Sequence, residues 1–171
     1  MIWSKAEKRG EIDSLSPANQ DQNGLINNQF YLDLPAQWTD VTVHTFLGPE
    51  EDGVRHDIFV VIDSDSKAKT VEEFAKPKIN ALAKELQGYV PLNSAPLFMN
   101  NGMPAFEHVY RWAASEQREV IQRMVYVLAG TKGYTLTTTF SVKTWKMMGA
   151  KLDGIIRSFV PMISEPKPEK S

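Results

Sequence analysis

Three stretches of strand length carry apolar side chains on both of their faces, and this surplus narrows what the chain can become. In Asp57–Asp63, Ile58, Val60 and Ile62 point one way while Phe59 and Val61 point the other. In Glu119–Ala129, Val120, Met124, Tyr126 and Leu128 oppose Ile121, Val125 and Val127. In Pro104–Ala113, Phe106, Tyr110 and Trp112 oppose Ala105 and Val109. A half-exposed antiparallel sheet would read apolar on one face and polar on the other. A sheet built from these strands has to cover both.

The flanking pattern supplies the rest of the fold. Phe30, Leu32 and Leu34 alternate with Tyr31 and Asp33 as a short strand that stops at Pro35. Val41–Leu47 is rich in β-branched residues and ends at Gly48-Pro49. Thr70-Val-Glu-Glu73 has capping-box spacing and opens a helix whose stripe is Val71, Phe74, Ala75, Ile79, Leu82, Ala83 and Leu86. Pro77 is expected to kink that helix or restart it, and Gly88 to stop it. Leu92–Met99 is a further strand, and a polar turn around Ser115-Glu-Gln117 joins the next two. After Gly130-Thr-Lys-Gly133 comes the threonine-rich strand Tyr134–Phe140. Trp145, Met148, Gly149, Leu152, Ile155, Ile156 and Phe159 form the stripe of a closing helix that Pro161 ends. Strands, helix, strands, helix is an α+β order with an antiparallel sheet and two helices.

Two helices are expected to cover roughly one face of such a sheet. The other face then needs a partner chain, a ligand or a curl of the sheet itself. A strongly curved sheet would bury both faces unaided. The alternative is an apolar groove or dimer surface, since contiguous exposed apolar patches mark interaction sites. Arg111, Gln122, Arg123, Thr137 and Thr139 are interleaved on the same strands. They serve either cross-strand pairing and edge solvation or the polar atoms of a buried guest.

Composition then removes whole classes of function. The chain has 171 residues, one domain with spare ends, and a net charge of −2 that makes a poor phosphate-neutralising surface. Nucleic acid is therefore not an expected partner. There is no cysteine, hence no disulfide, thiolate metal site or cysteine nucleophile. The longest apolar run, Met124–Ala129, falls far short of the roughly 20 residues that span a bilayer. No signal-peptide pattern follows Met1, so direct membrane insertion is not expected and a soluble, cytoplasmic protein is. Residues 1–24 form a polar extension, 25–163 the α+β domain, and 164–171 a tail with two prolines and alternating charge.

Catalytic machinery is not legible. His44, His56 and His108 are scattered without metal-ligand spacing, and no GxSxG elbow, P-loop or GxGxxG occurs. Glu72 and Glu73 favour a helix N-terminus electrostatically, and Glu107 and Glu116 have no acidic partner at useful spacing. The expectation is a protein without catalytic residues, cofactor or metal.

The co-linear set Phe30-x-Leu-x-Leu-Pro35-x-x-Trp38-x-Asp40, Leu86-Gln-Gly88-Tyr89, Tyr110-Arg-Trp112 and Thr135-Leu-Thr-Thr-Thr139 resembles the DcrB-like domain over about residues 29 to 162. It is most similar to the cytoplasmic branch of that family, the Eag chaperones of type VI secretion. The periplasmic DcrB lipoproteins carry a signal and a lipid-bearing cysteine, which this chain lacks.

The resemblance implies a small α+β protein, similar in fold to PsbP-type domains, that dimerises. It implies a partner as well: the N-terminal transmembrane segments of a secreted effector that also carries a PAAR domain. The chaperone shields those helices until the effector is loaded on the secretion spike. By position, the groove would be lined by Val43 and Thr45, by Lys78, Leu82 and Leu86 of the first helix, and by Gln122 and Met124. Lys78 would lay its aliphatic stem along the groove and carry its charge to the rim. A different class of function, a small-molecule or lipid carrier using the same groove, would call for an enclosed pocket instead of a long open one.

Overall fold

The computed structural model describes residues 24–26, 31–33, 43–51, 54–116 and 118–162. The chain divides into two units, Met1–Asp40 and Val41–Ser171. In the first unit, β1 (Gly24–Ile26) pairs antiparallel with β2 (Tyr31–Asp33), Leu25 opposite Leu32. The expected strand from Phe30 to Leu34 is present as its centre, while Phe30 and Leu34 lie outside the described residues. So do the extension before Gly24 and the tail from 164 to 171.

The second unit runs β3 (Val43–Glu51), β4 (Val54–Asp63), α1 (Val71–Glu85), β5 (Val90–Phe98), β6 (Pro104–Ser115), β7 (Arg118–Ala129), β8 (Lys132–Phe140) and α2 (Val142–Arg157). Its six strands make one antiparallel sheet in the order β3-β4-β8-β7-β6-β5. The architecture is the α+β sheet with two helices that the sequence implied. α1 carries the chain from β4 to the far edge, and the meander β5–β8 returns until β8 closes against β4.

Local chemistry sets the helix ends. Thr70 Oγ1 accepts from the Glu73 amide at 3.2 Å, which caps α1. α1 then runs through Pro77 as one element, at an exposed position where water can take the hydrogen bond that the missing amide forgoes. Gly88, at φ +64°, turns the chain towards β5. α2 opens on a reciprocal box: the Thr144 amide donates to Ser141 Oγ at 3.1 Å, and the Ser141 amide to Thr144 Oγ1 at 2.9 Å.

The register fixes which side chains share a face. Thr45, Phe59, Thr137, Met124, His108 and Ser94 stand opposite one another across all six strands. The next row, Phe46, Ile58, Thr138, Arg123, Val109 and Asn93, points to the other face. Val71, Phe74 and Ala75 of α1 pack with Tyr126, Phe106, Met124 and Leu128 on the first face. Met148 and Leu152 of α2 pack with Val109, Ile121 and Phe140 on the second, and Ile156 with Val125, Val127 and Leu136.

Each helix therefore takes its own face, which corrects the expectation that both would lie on one. A helix is about 10 Å wide and strands are about 4.8 Å apart, so one helix shields about two strands. α1 lies over β6 and β7, and α2 over β7 and β8. Of the β3–β4 hairpin, Ile58 and Val60 of β4 pack at the margin of the α2 clusters, and β3 is left the more exposed strand.

β3 does not end at Gly48-Pro49 as its sequence suggested. Its pairing shifts there, from Leu47 opposite Asp57 to Glu50 opposite Arg55, so two residues face His56 alone in a β-bulge. On the α2 face, buried Arg123 bonds Glu107 at 2.6 Å and Asp153 at 2.5 Å, and Arg157 bonds Asp153 at 2.8 Å. Of the two roles open to Arg123, it takes the internal one: it fastens α2 to the sheet.

Candidate functional site

Beyond the flank of α1, the first face over β4 and β3 takes no buried side chain from a described helix, while Thr135 of β8 is buried. Val43, Val61 and Thr135 align in one row, and Thr45, Phe59 and Thr137 in the next. Val43 is 49% exposed. Thr45 is exposed too, while Phe59, Val61 and Thr137 are half-buried. Among the described residues, no hydrogen bond engages the hydroxyls of Thr45 and Thr137. This part of the face thus offers apolar area with spaced hydroxyls, each able to donate or accept.

α1 forms the wall. Its stripe is buried at Val71, Phe74 and Ala75, with Ile79 packed against them, and then loosens: Leu82 and Leu86 are half-buried and Ala83 is exposed. The first turns anchor the helix, and the last present apolar side chains. Lys78 Nζ lies 3.7 Å from Asp63 at the end of β4 and 4.6 Å above the Phe74 ring. Its charge is held at one end of the wall by a carboxylate and an aromatic face.

Of the seven residues that sequence reasoning placed in a groove, Val43, Thr45, Gln122 and Met124 share the sheet face on which α1 lies. Lys78, Leu82 and Leu86 belong to α1 or its C-terminal cap. The two from β7 are tied into the protein. Gln122 Oε1 accepts from Tyr110 Oη at 2.7 Å and Trp112 Nε1 at 2.9 Å, while its Nε2 donates to Thr139 Oγ1 at 3.1 Å. That pattern fixes which end of the amide is which. The sulfur of Met124 receives the hydroxyls of Tyr126 at 3.3 Å and Tyr110 at 3.6 Å.

Sequence reasoning missed the belt that continues this network under the C-terminal half of α1. His108 lies between Tyr89 Oη at 2.7 Å and Ser94 Oγ at 2.6 Å, and its ring stacks on Tyr110 at 5.3 Å. The alternation of His108, Tyr110 and Trp112 on β6 placed them on one face; their partners come from β5, β7 and the α1–β5 turn. Burial lowers the affinity of His108 for a proton, opposed by a backbone hydrogen bond at Asn93. Burial also drives the Tyr110 and Tyr126 hydroxyls far above the ordinary tyrosine range, with a smaller push from neighbouring tyrosines. These hydroxyls stay protonated and act as donors that hold the belt together.

Both ring nitrogens of His108 are engaged by hydroxyls, Nδ1 by Ser94 and Nε2 by Tyr89. Among the described residues no group of three or more His, Asp or Glu is placed to hold a metal ion. The first face beyond α1 combines apolar side chains at Val43, Phe59 and Val61 with hydroxyls at Thr45 and Thr137.

Comparison with known proteins bears on the fold. PA94 from Pseudomonas aeruginosa, a protein of unknown function, superimposes with a TM-score of 0.66 at 15% identity over 82% of this chain and 97% of that one. That likeness is one of fold. The cyanobacterial PsbP of Synechocystis sp. PCC 6803 gives a TM-score of 0.46 at 14% identity, covering 63% of this chain and 68% of that one. No curated protein sequence matches. The family model of DcrB matches residues 31–158, from β2 through the whole six-stranded sheet to the end of α2. The chain belongs to the DcrB family.

Proposed function

We propose that this chain is a cytoplasmic chaperone or adaptor that holds the N-terminal transmembrane helices of a secreted PAAR-containing effector and hands the effector to a type VI secretion spike. The supporting observation is the part of the α1 face, on β3 and β4, on which no described helix packs. Val43 and Phe59 offer apolar area, and Thr45 and Thr137 offer hydroxyls not engaged by the described residues. A membrane helix in water needs apolar surface in place of lipid, and burial at about 25 cal/mol per Å² supplies the driving force. Serine, threonine and exposed backbone groups of such a helix need hydrogen-bond partners, which an all-apolar surface would withhold. Among the described residues no helix is long and apolar enough to cross a membrane. The working unit is a homodimer, and the reaction is recognition, not catalysis.

The test is co-expression with the product of a neighbouring gene that encodes transmembrane segments ahead of a PAAR domain. A charge on this face or on the wall would have to be desolvated against the guest, at a cost of several kcal/mol. Val43→Asp and Leu82→Glu should therefore fold normally by circular dichroism and lose the effector on co-purification. Retention at the unmutated level by both folded variants would remove the groove from the proposal. A chain that captures fatty acids and no effector would point to a carrier.

A further inference from the structure

Between α1 and the edge of the sheet at β5 lies a pocket of about 260 Å³. Glu72, Lys76, Ile79 and Asn80 line it from the helix, and Ser94 and Phe106 from the sheet. Positions 72, 76 and 80 follow at four-residue steps, so their polar side chains stand in one row. Ser94 is exposed, yet its Oγ lies 2.6 Å from Nδ1 of His108, which is 1% exposed. The other ring nitrogen, Nε2, lies 2.7 Å from Tyr89 Oη. The imidazole is also stacked between aromatic rings, its centroid 5.3 Å from Tyr110 and 6.1 Å from Tyr89.

A serine at hydrogen-bond distance from an imidazole whose far nitrogen is held by a third group is the arrangement that activates a hydroxyl. Each part has its own origin. Pairing of β5 with β6 sets Ser94 directly opposite His108. Tyr89 comes from the turn that follows α1. Burial lowers the affinity of His108 for a proton, and a backbone hydrogen bond at Asn93 opposes this only in part. The ring is therefore neutral near physiological pH and able to take a proton. Burial also raises the Tyr89 pKa, so its hydroxyl stays neutral. With the ring proton on Nε2 and donated to Tyr89 Oη, Nδ1 turns its lone pair to the Ser94 hydroxyl. A clasp between two strands needs only the bond from Ser94 to His108; the held far nitrogen and the adjoining pocket exceed that need.

We propose that Ser94 is a nucleophile that accepts short acyl groups from uncharged carboxylic esters, with His108 as its general base and Tyr89 as a positioning residue. Ser94 Oγ attacks the ester carbonyl carbon as its proton passes to His108 Nδ1. The carbonyl π pair moves onto oxygen, for which the Lys76 ammonium and the Asn80 amide are the pocket's donors. The intermediate collapses by cleaving the bond to the alcohol oxygen, and the alcohol leaves with the proton from His108. Ser94 is left acylated. Water, deprotonated by the same imidazole, then releases the acid and restores the hydroxyl. Ile79 and Phe106 seat the acyl chain, and a volume below the roughly 300–1,000 Å³ of drug-sized sites keeps that chain short. Glu72 in the same row disfavours an ester that carries negative charge. This activity goes beyond the chaperone reading and does not depend on it, since Val43, Thr45 and Phe59 belong to β3 and β4 and not to this pocket.

Reaction of the full chain with p-nitrophenyl butyrate tests the assignment. Nitrophenolate should appear in a burst stoichiometric with the chain, and mass spectrometry should find the butyryl group on Ser94. Ser94→Ala, at an exposed position, should abolish the burst with an unaltered circular dichroism spectrum. His108→Gln should slow acylation at least about a hundredfold. Tyr89→Phe spares buried His108 and keeps the stacked ring, and it should slow acylation about tenfold. Nitrogen NMR should place the His108 proton on Nε2 in the unmutated chain and show that preference lost in Tyr89→Phe. Lys76→Met combined with Asn80→Ala should slow acylation at least about tenfold with little change in the half-saturating ester concentration, because the oxyanion is absent from the ground state. An unaltered rate in that double variant would remove both as oxyanion donors. Butyryl groups on lysines and none on Ser94, or an unaltered burst from folded Ser94→Ala, would overturn the site. A proton on Nδ1 would overturn His108 as its base.

Discussion

Gly133 shows how much can rest on one missing carbon. It opens β8 directly beneath α1, and a Cβ there would drive into the ring of Phe74. Phe74 is buried and meets Tyr126 edge-on at 6.2 Å, so it has little room to retreat. Gly133→Ala should therefore destabilise the protein by about 1–3 kcal/mol, the usual cost of overpacking, read as a lower midpoint in urea. A control at Gly130, where a Cβ meets nothing, costs only the strain of φ +61°. Gln122 is a residue-scale lesson of another kind. The resemblance implied that it lines a groove, and it does share the face on which α1 packs. Its occupation by Tyr110, Trp112 and Thr139 depends on three strands arriving together, which no local pattern records.

Among elements, α2 is held by charge as well as by its apolar stripe. Arg123 reaches Asp153, which Arg157 also bonds. Burial alone would raise the Asp153 pKa, but hydrogen bonds from Arg157 and Arg123 and their positive charge outweigh it, and the net shift is downward from 3.8. A carboxyl whose folded pKa is depressed adds stability above its unfolded pKa and loses it as pH falls through the folded value. Urea midpoints should thus drop as pH is lowered below about 4. Arg123→Met, which leaves Glu107 and Asp153 without this partner, should cost about 3 kcal/mol at neutral pH and flatten that acid response. The elements themselves were largely legible. Stripes at three and four residues marked both helices, and the two-faced run 57–63 marked a central strand. Which face each helix would choose was not legible, because a strand apolar on both sides offers two equivalent seats. The choice comes from the path of the chain: α1 crosses the sheet on one face to reach β5, and α2 follows β8 onto the other. Ile155 reads as core by spacing and is exposed, because α2 covers β7 and β8 and turns that flank towards the β3–β4 hairpin. The bulge opposite His56 was not legible either, since it lies where β3 seemed to end.

Among the described residues of the second unit, six strands exceed what two helices can roof, and β3 is the strand left most exposed. The far edge is not fully roofed either: Leu92 and Phe98 of β5 are exposed. The proposed homodimer would use such area, and light scattering at micromolar concentration should then give twice the 19.3 kDa chain mass. A single-chain mass throughout that range would dispose of the dimer while leaving the groove and the Ser94 pocket to their own tests. The β3–β4 hairpin has a longer-term consequence. Along β3, Val43 and Thr45 answer to one set of neighbours and Phe46 to another, with the backbone as insulation between them. Substitutions at alternate codons can therefore drift independently, so a lineage could exchange what it carries on one side of the hairpin while inheriting the other side unchanged.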